Sequence, residues 1–176
     1  RGVSKIPLRE ALTRLESGGL VASHPHRGFV VRALSRGEAE DVFELRLKIE
    51  PDAASAGALE ADQDARDTAS AALEALDKAL RKRGADVGRR NREFHLALIR
   101  PAGRDVTTQT LERLLALSER YVRVHLGASG RADRASRAHE GLLDSWLHRR
   151  TAVVRRDSER HILATLRDLR AQLPDP

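Results

Sequence analysis

The stretch Gly2 to Gly28, GVSKIPLREALTRLESGGLVASHPHRG, constrains this chain most. Ser4 has the hydroxyl of a good helix N-cap, which can accept from the first free backbone N–H groups. Pro7 then falls in the first turn, where a missing N–H matters little. Leu8, Ala11, Leu12 and Leu15 recur at helical spacing and predict one apolar stripe, with Ile6, Arg9, Glu10 and Thr13 on the opposite face. Gly18 and Gly19 stop the helix. Leu20 to Ser23 and Phe29 to Arg32 read as two short strands, with the turn-forming His24, Pro25, His26, Arg27 and Gly28 between them. A helix followed by a basic-tipped hairpin is the second half of a winged helix-turn-helix. Taken alone, the pattern also fits an ordinary helix and hairpin on a small domain.

The run VSKIPLREALTRLESGGLV followed by HPHRGFVV resembles the DNA-binding domain of GntR-type bacterial transcription regulators, including the core Arg9, Glu10, Ala11 and Leu12 and the wing tip Arg27 and Gly28. The resemblance implies a recognition helix in the major groove and a wing reaching the minor groove. Its matching DNA-binding positions are Ser4, Lys5, Pro7 and Arg9 on the helix side, and Arg27 and Gly28 on the wing. His24 and His26, on the wing turn, fit solvent or phosphate contacts.

With 176 residues, the chain can hold one medium domain or two small ones. It contains no Met, so it reads as a fragment or a processed chain. The expectation is that the first helix, most of the second and any N-terminal arm are missing, leaving a truncated winged helix-turn-helix over residues 1–34. The absence of Cys rules out a disulfide or a thiolate metal site and fits a cytoplasmic protein. No apolar run is long enough to cross a bilayer, and no signal peptide is visible. A net charge of +6 is compatible with nucleic acid but equally with Arg-rich solvated helices. Only 3 Phe, 1 Tyr and 1 Trp argue against single-strand binding by stacked bases.

After Leu34 the pattern changes. Ser35 with Glu38 three residues on makes a capping box, opening a helix from Arg36 to about Ala61 with Ala39, Val42, Phe43 and Ile49 inward. Pro51 predicts a kink or restart. Further helices are expected over 62–83 (Ala69, Ala72, Leu73, Leu76 and Leu80 inward), 86–99, about 107–126, 135–147 and 153–173. Loops are expected at Ala102 to Arg104 and from Gly127 to Asp133. Residues 35–176 are therefore expected to form an all-helical bundle of about six helices, large enough for its own core. The fold class is mainly α.

Asn91 and His95 stand at i and i+4 beside Phe94 and Leu98. His139 heads the stripe Leu142, Leu143 and Trp146. His161 lies beside Ile162, one turn from Thr165. Three histidines thus fall on the apolar sides of three different helices. A single such His is usually a hydrogen-bonded core residue. Three of them, with an Asn one turn before the first, also fit a metal site, since imidazole suits Zn, Ni and similar ions. His125 and His148 lie near helix ends and receive no metal role.

The pieces NREFH (Asn91 to His95), AHEGLL (Ala138 to Leu143) and RHI (Arg160 to Ile162), with the opening ELRLKIE (Glu44 to Glu50), resemble the effector-binding FCD domain of the FadR-like branch of GntR regulators. The resemblance covers the chain after Ser35. It implies a divalent metal, Zn or Ni, held at Asn91, His95, His139 and His161, where many relatives carry Asp in place of Asn91. The charge of such an ion favours a small organic carboxylate as effector, and because a lone module binds DNA weakly, a homodimer on a palindromic double-stranded DNA operator is expected. Gly103-Arg104 departs from the Gly-Asn usual in the family. Six bundle helices suit the shorter, VanR-like subgroup. Arg46 follows Val42 by four and precedes Ile49 by three. Two accounts are open for it: an ion pair with Glu50, or an anion clamp in the effector pocket.

Two other functions compete with a ligand-responsive regulator. A metal-dependent hydrolase would need a general base near the histidines, for which Asp157 is the nearest candidate. An acid is expected that early in a helix for the dipole alone, and a wing domain would be superfluous. The other is a helical dimerisation scaffold without effector.

Overall fold

The computed structural model describes residues 5–127 and 130–174. Ser4 lies outside them. The chain divides into two compact units, Arg1–Leu34 and Ser35–Pro176.

In the first unit, α1 (Lys5–Ser17) carries Pro7 in its first turn. Gly19, at φ +74°, closes it, with Leu20 N–H donating back to Leu15 O (2.9 Å). Strands β1 (Val21–His24) and β2 (Gly28–Val31) pair antiparallel, Val21 opposite Val31 and His24 opposite Gly28. The turn between them uses left-handed backbone at His26 and Gly28, and Arg27 N–H donates to His24 O. Glu16 ties helix to hairpin by accepting from Ser23 N–H (2.8 Å). The apolar stripe of α1 is open: Leu8 is 54% and Leu15 41% exposed. One helix and a two-stranded hairpin offer too little surface to cover it.

The second unit is a bundle of six α-helices with one short 3-10 turn. These are α2 (Arg36–Glu60), α3 (Gln63–Arg81), α4 (Val87–Ile99), α5 (Asp105–Gly127), α6 (Arg131–Leu147) and α7 (Thr151–Gln172). The turn, Arg100–Ala102, follows α4 and ends at Gly103, at φ +64°. Ser35 caps α2 by accepting from Glu38 N–H, and Asp62 caps α3 by accepting from Ala65 N–H.

Four expectations are corrected. Of the two outcomes expected at Pro51, a kink or a restart, the restart does not occur: α2 runs from Arg36 to Glu60 with Pro51 inside it. Proline removes one ladder bond, and the burial of Pro51, Ala53, Ala54 and Ala58 against the bundle outweighs that loss. α5 begins at Asp105, two residues before the expected Thr107, with an acid in its first turn that suits the dipole. α6 begins at Arg131, inside the expected loop. The inner face of α2 holds Arg46 and Glu50, both buried, rather than the half-buried Ile49.

The longest packing runs between α2 and α7, with α4 seated against both α3 and α5. Gly57 lets α2 approach the end of α4: a Cβ there would lie 2.0 Å from Leu98 O. The same carbonyl accepts from the indole N–H of the fully buried Trp146 (3.0 Å), which joins α6 to the junction. Gly88 does for α4 and α5 what Gly57 does for α2 and α4, since its Cβ would lie 2.6 Å from Glu119 O. These contacts fix α4 among its neighbours, and α4 carries the first two residues of the candidate site. Among the described residues, no helix is long and apolar enough to cross a membrane.

Candidate metal centre

Each histidine reaches the centre on an apolar stripe. Phe94 and Leu98 bury α4 and bring His95 inward. Leu142 and Trp146 do so for His139 on α6, and Ile162 and Leu166 for His161 on α7. His95 and His139 are buried, and His161 is partly exposed. One ligand nitrogen from each lies within 4.8 Å of the other two. Nε2 of His139 is 3.1 Å from Nε2 of His161. The rings stand 4.4 Å (His139–His161), 5.4 Å (His95–His161) and 5.5 Å (His95–His139) apart at their centroids.

This donor set fits a divalent cation. Two nitrogens at about 2.0–2.1 Å from a tetrahedral zinc stand about 3.3 Å apart, close to the 3.1 Å between the two Nε2 atoms. Nε2 of His95 and Nδ1 of His139 are buried and have no hydrogen-bond partner. Burial holds His139 and His161 well below the ordinary imidazole range, and neighbouring histidines and Arg46 push the same way. Both rings are therefore neutral near pH 7, which is the state that ligates.

His139 and His161 border a small inner cavity of about 10 Å³, with room for about one water-sized sphere. Asn91, Arg46 and His125 also line it. Asn91 is thus brought to the same cavity as His139 and His161, on the turn of α4 before His95.

Beside it lies an outer cavity of about 240 Å³ between α6 and α7. The two share His125, Ala135, His161 and Thr165, and the outer one is flanked by Arg134, Arg160 and Asp157. Arg134 pairs with Asp168, and Arg160 with Asp157 (3.0 Å). Asp157 is thus ion-paired rather than poised as a free base.

Arg46 makes the ion pair with Glu50 that the i+4 spacing allowed. Its Nε donates to Glu50 Oε2 (2.7 Å) and its Nη2 to Oε1 (3.2 Å), while Nη1 donates to Ser118 Oγ (3.2 Å). Arg46 and Glu50 are 2% and 1% exposed. Burial alone would raise the Glu50 carboxyl, but the Arg46 charge and the His95 contact outweigh it and hold the group below the usual carboxylate range. Glu50 Oε1 also lies 2.7 Å from His95 Nδ1.

Sequence reasoning missed this second contact of Glu50. The i+4 spacing from Arg46 gave the pair, but nothing local links α2 to α4. It also set His125 aside as a helix-end residue. His125 is buried, its pKa pushed down to about 4 by burial despite Asp168 3.5 Å away. It stands in the last turn of α5 and lines the inner cavity.

On the first unit, Pro7 and Arg9 are exposed on α1, and Arg27 and Gly28 are exposed at the hairpin tip. Neither Arg9 nor Arg27 has an ion-pair partner among the described residues. Lys5 opens α1. An open pocket on α1 is lined by Ile6, Arg9, Glu10, Thr13 and Arg14, the face opposite the apolar stripe.

Comparison with known proteins agrees with this layout. Residues 41–164 match the FCD domain. The chain is 33% identical over 121 residues to the HTH-type transcriptional repressor GlaR of Escherichia coli (strain K12), covering 65% of this chain and 54% of that protein. It spans about half the length of such curated relatives. Among solved structures, a transcriptional regulator (GntR family member) from Pseudomonas syringae pv. tomato str. DC3000 is 27% identical, with a TM-score of 0.67, covering 97% of this chain and 71% of that one. E. coli McbR/YncC shares the fold at 19% identity and a TM-score of 0.80, covering 98% and 88%. GlaR is named as a transcriptional repressor and the Pseudomonas protein as a transcriptional regulator. The chain belongs to the GntR family, in its FadR-like, FCD-domain branch.

Proposed function

We propose that this chain acts in a DNA-binding transcription regulator whose helical unit holds a divalent cation and takes a small organic acid that modulates operator binding. The observation that carries the reading is the convergence of His95, His139 and His161, from three helices, to within 4.8 Å. Asn91 is the fourth ligand, and its neutral amide oxygen makes the site weaker than one with a carboxylate there. Zn or Ni suits this nitrogen-rich set. A bound cation would supply positive charge that favours an anionic ligand. Because the three imidazoles stand on α4, α6 and α7, joint ligation couples the spacing of those helices to occupancy.

The outer cavity has the volume for a small carboxylate, and Arg134 and Arg160, each paired with an acid, line it beside His125 and His161. Arg46 lines the inner cavity and uses three of its five N–H groups on Glu50 and Ser118. The remaining two serve a carboxylate that enters from the outer cavity. Ser4, Lys5, Pro7, Arg9, Arg27 and Gly28 are the DNA-contacting set. A homodimer reads a short palindrome whose half-sites lie about one helical turn apart or a small multiple of that. Six bundle helices favour the VanR-like subgroup.

Selection of bound duplexes from a random pool tests the reading. A recovered palindrome, whose band shift changes when small carboxylates are added to metal-loaded protein, supports it. Recovery of no sequence by the protein, or a shift indifferent to every carboxylate and to metal, overturns it.

A further inference from the structure

Arg46 and Glu50 form an ion pair inside the bundle at 2% and 1% exposure. Such a pair is a poor source of stability, because the desolvation of both charges offsets their attraction, and well-packed apolar residues often serve as well. What sets this pair apart is its third member. The carboxylate accepts from both edges of the Arg46 fork and also meets His95 Nδ1 at 2.7 Å. A carboxylate gripped by a bidentate guanidinium is ionised and can only accept. His95 must then carry a proton on Nδ1. In the neutral ring the lone pair is then on Nε2, a buried atom with no hydrogen-bond partner, in a histidine that offers one nitrogen within 4.8 Å of those of His139 and His161.

We infer that Glu50, held in place by Arg46, is a positioning residue that fixes the tautomer and ring orientation of His95 so that its Nε2 lone pair points into the three-histidine cluster. The inference rests on the metal-site reading for its purpose, but not for its geometry. A ligating histidine commonly donates its other N–H to a carboxylate, and such outer partners typically change metal affinity by about 10–100-fold. Here α2 supplies that partner to a ligand on α4, so the first helix of the bundle takes part in a site whose ligands all lie on later helices.

The test uses chelator-stripped protein in two variants. Glu50→Gln leaves the Arg46 charge buried without its counter-ion, so this variant is expected to lose stability. Arg46→Met/Glu50→Leu removes the whole pair and keeps the volume apolar. Imidazole ¹⁵N spectra of the metal-free wild type should show His95 as a single Nδ1–H tautomer, and those of the double variant a mixture. Zinc titration of the double variant should give an affinity about 10–100-fold weaker than wild type at a similar melting temperature. A wild-type His95 protonated on Nε2, or a folded double variant binding zinc within about twofold of wild type, overturns the inference. If the wild type takes up no zinc, the metal-site reading fails, and the tautomer measurement alone decides the role of Glu50.

Discussion

Nε2 of His139 and Nε2 of His161 face each other at 3.1 Å across the contact of α6 and α7. Only one of them can donate, so in a neutral pair one ring must give its Nε2 proton to the other. A cation between them would accept both lone pairs instead. This pair stands on the α6–α7 contact, and His161 also lines the outer cavity.

Stability of the metal-free protein should fall as the solution is acidified. His125, His139 and His161 all have folded-state values below the ordinary 6.5. The unfolded chain then binds more protons than the folded one once the pH drops below about 6.5, so stability is lost from there downward. The steepest loss is about 1.4 kcal/mol per pH unit for each such group. Glu50, held below its ordinary 4.5, adds loss in the same direction, but only below that pH. Thermal unfolding followed by circular dichroism from pH 7.5 to 5 reads this directly. A melting temperature that is flat or rises on acidification contradicts it.

Gly57→Ala should destabilise the bundle by at least about 1–3 kcal/mol, because the new methyl would meet backbone and not a movable side chain. The carbonyl in its way, Leu98 O, is also bonded to Trp146. Chemical denaturation measures the loss. A change below about 0.5 kcal/mol would show that α2 and α4 are not pressed together at this point.

Arg9→Ala should weaken binding to a specific operator by about 1–3 kcal/mol and relax specificity at one base position, if Arg9 reads a base edge. Arg27→Ala at the wing tip should weaken specific and random DNA alike and reduce the salt slope by about 1. Band shifts at several salt concentrations separate the two. Equal loss on both DNAs for Arg9→Ala would make it a phosphate contact.

Most of the bundle was legible because its helices bury continuous stripes. Ala69, Leu73 and Leu76 on α3 repeat at the helical period, and all three are buried. Helix ends were less legible. Gly127, Ala128 and Gly130 suggest a loop, yet α6 starts at Arg131, whose side chain meets Asp168 on α7. The histidine cluster could be foreseen because each His sits on an apolar stripe of its own helix. Its support could not. Glu50 meets His95, and Val122 and His125 meet the inner cavity, through contacts between helices far apart in the chain. On α2, periodicity put Arg46 on the apolar side, where it is buried, but it also put Ile49 there and did not place Glu50 on the inner face.

The central claim is that His95, His139 and His161 together hold a divalent cation, and calorimetric titration of chelator-stripped protein with zinc and with nickel tests it most directly. The account predicts one ion per chain for the wild type and loss of uptake in His139→Ala and in His161→Ala. Failure of the wild type to bind either ion, or uptake unchanged in both variants, would contradict it and make the three histidines core residues.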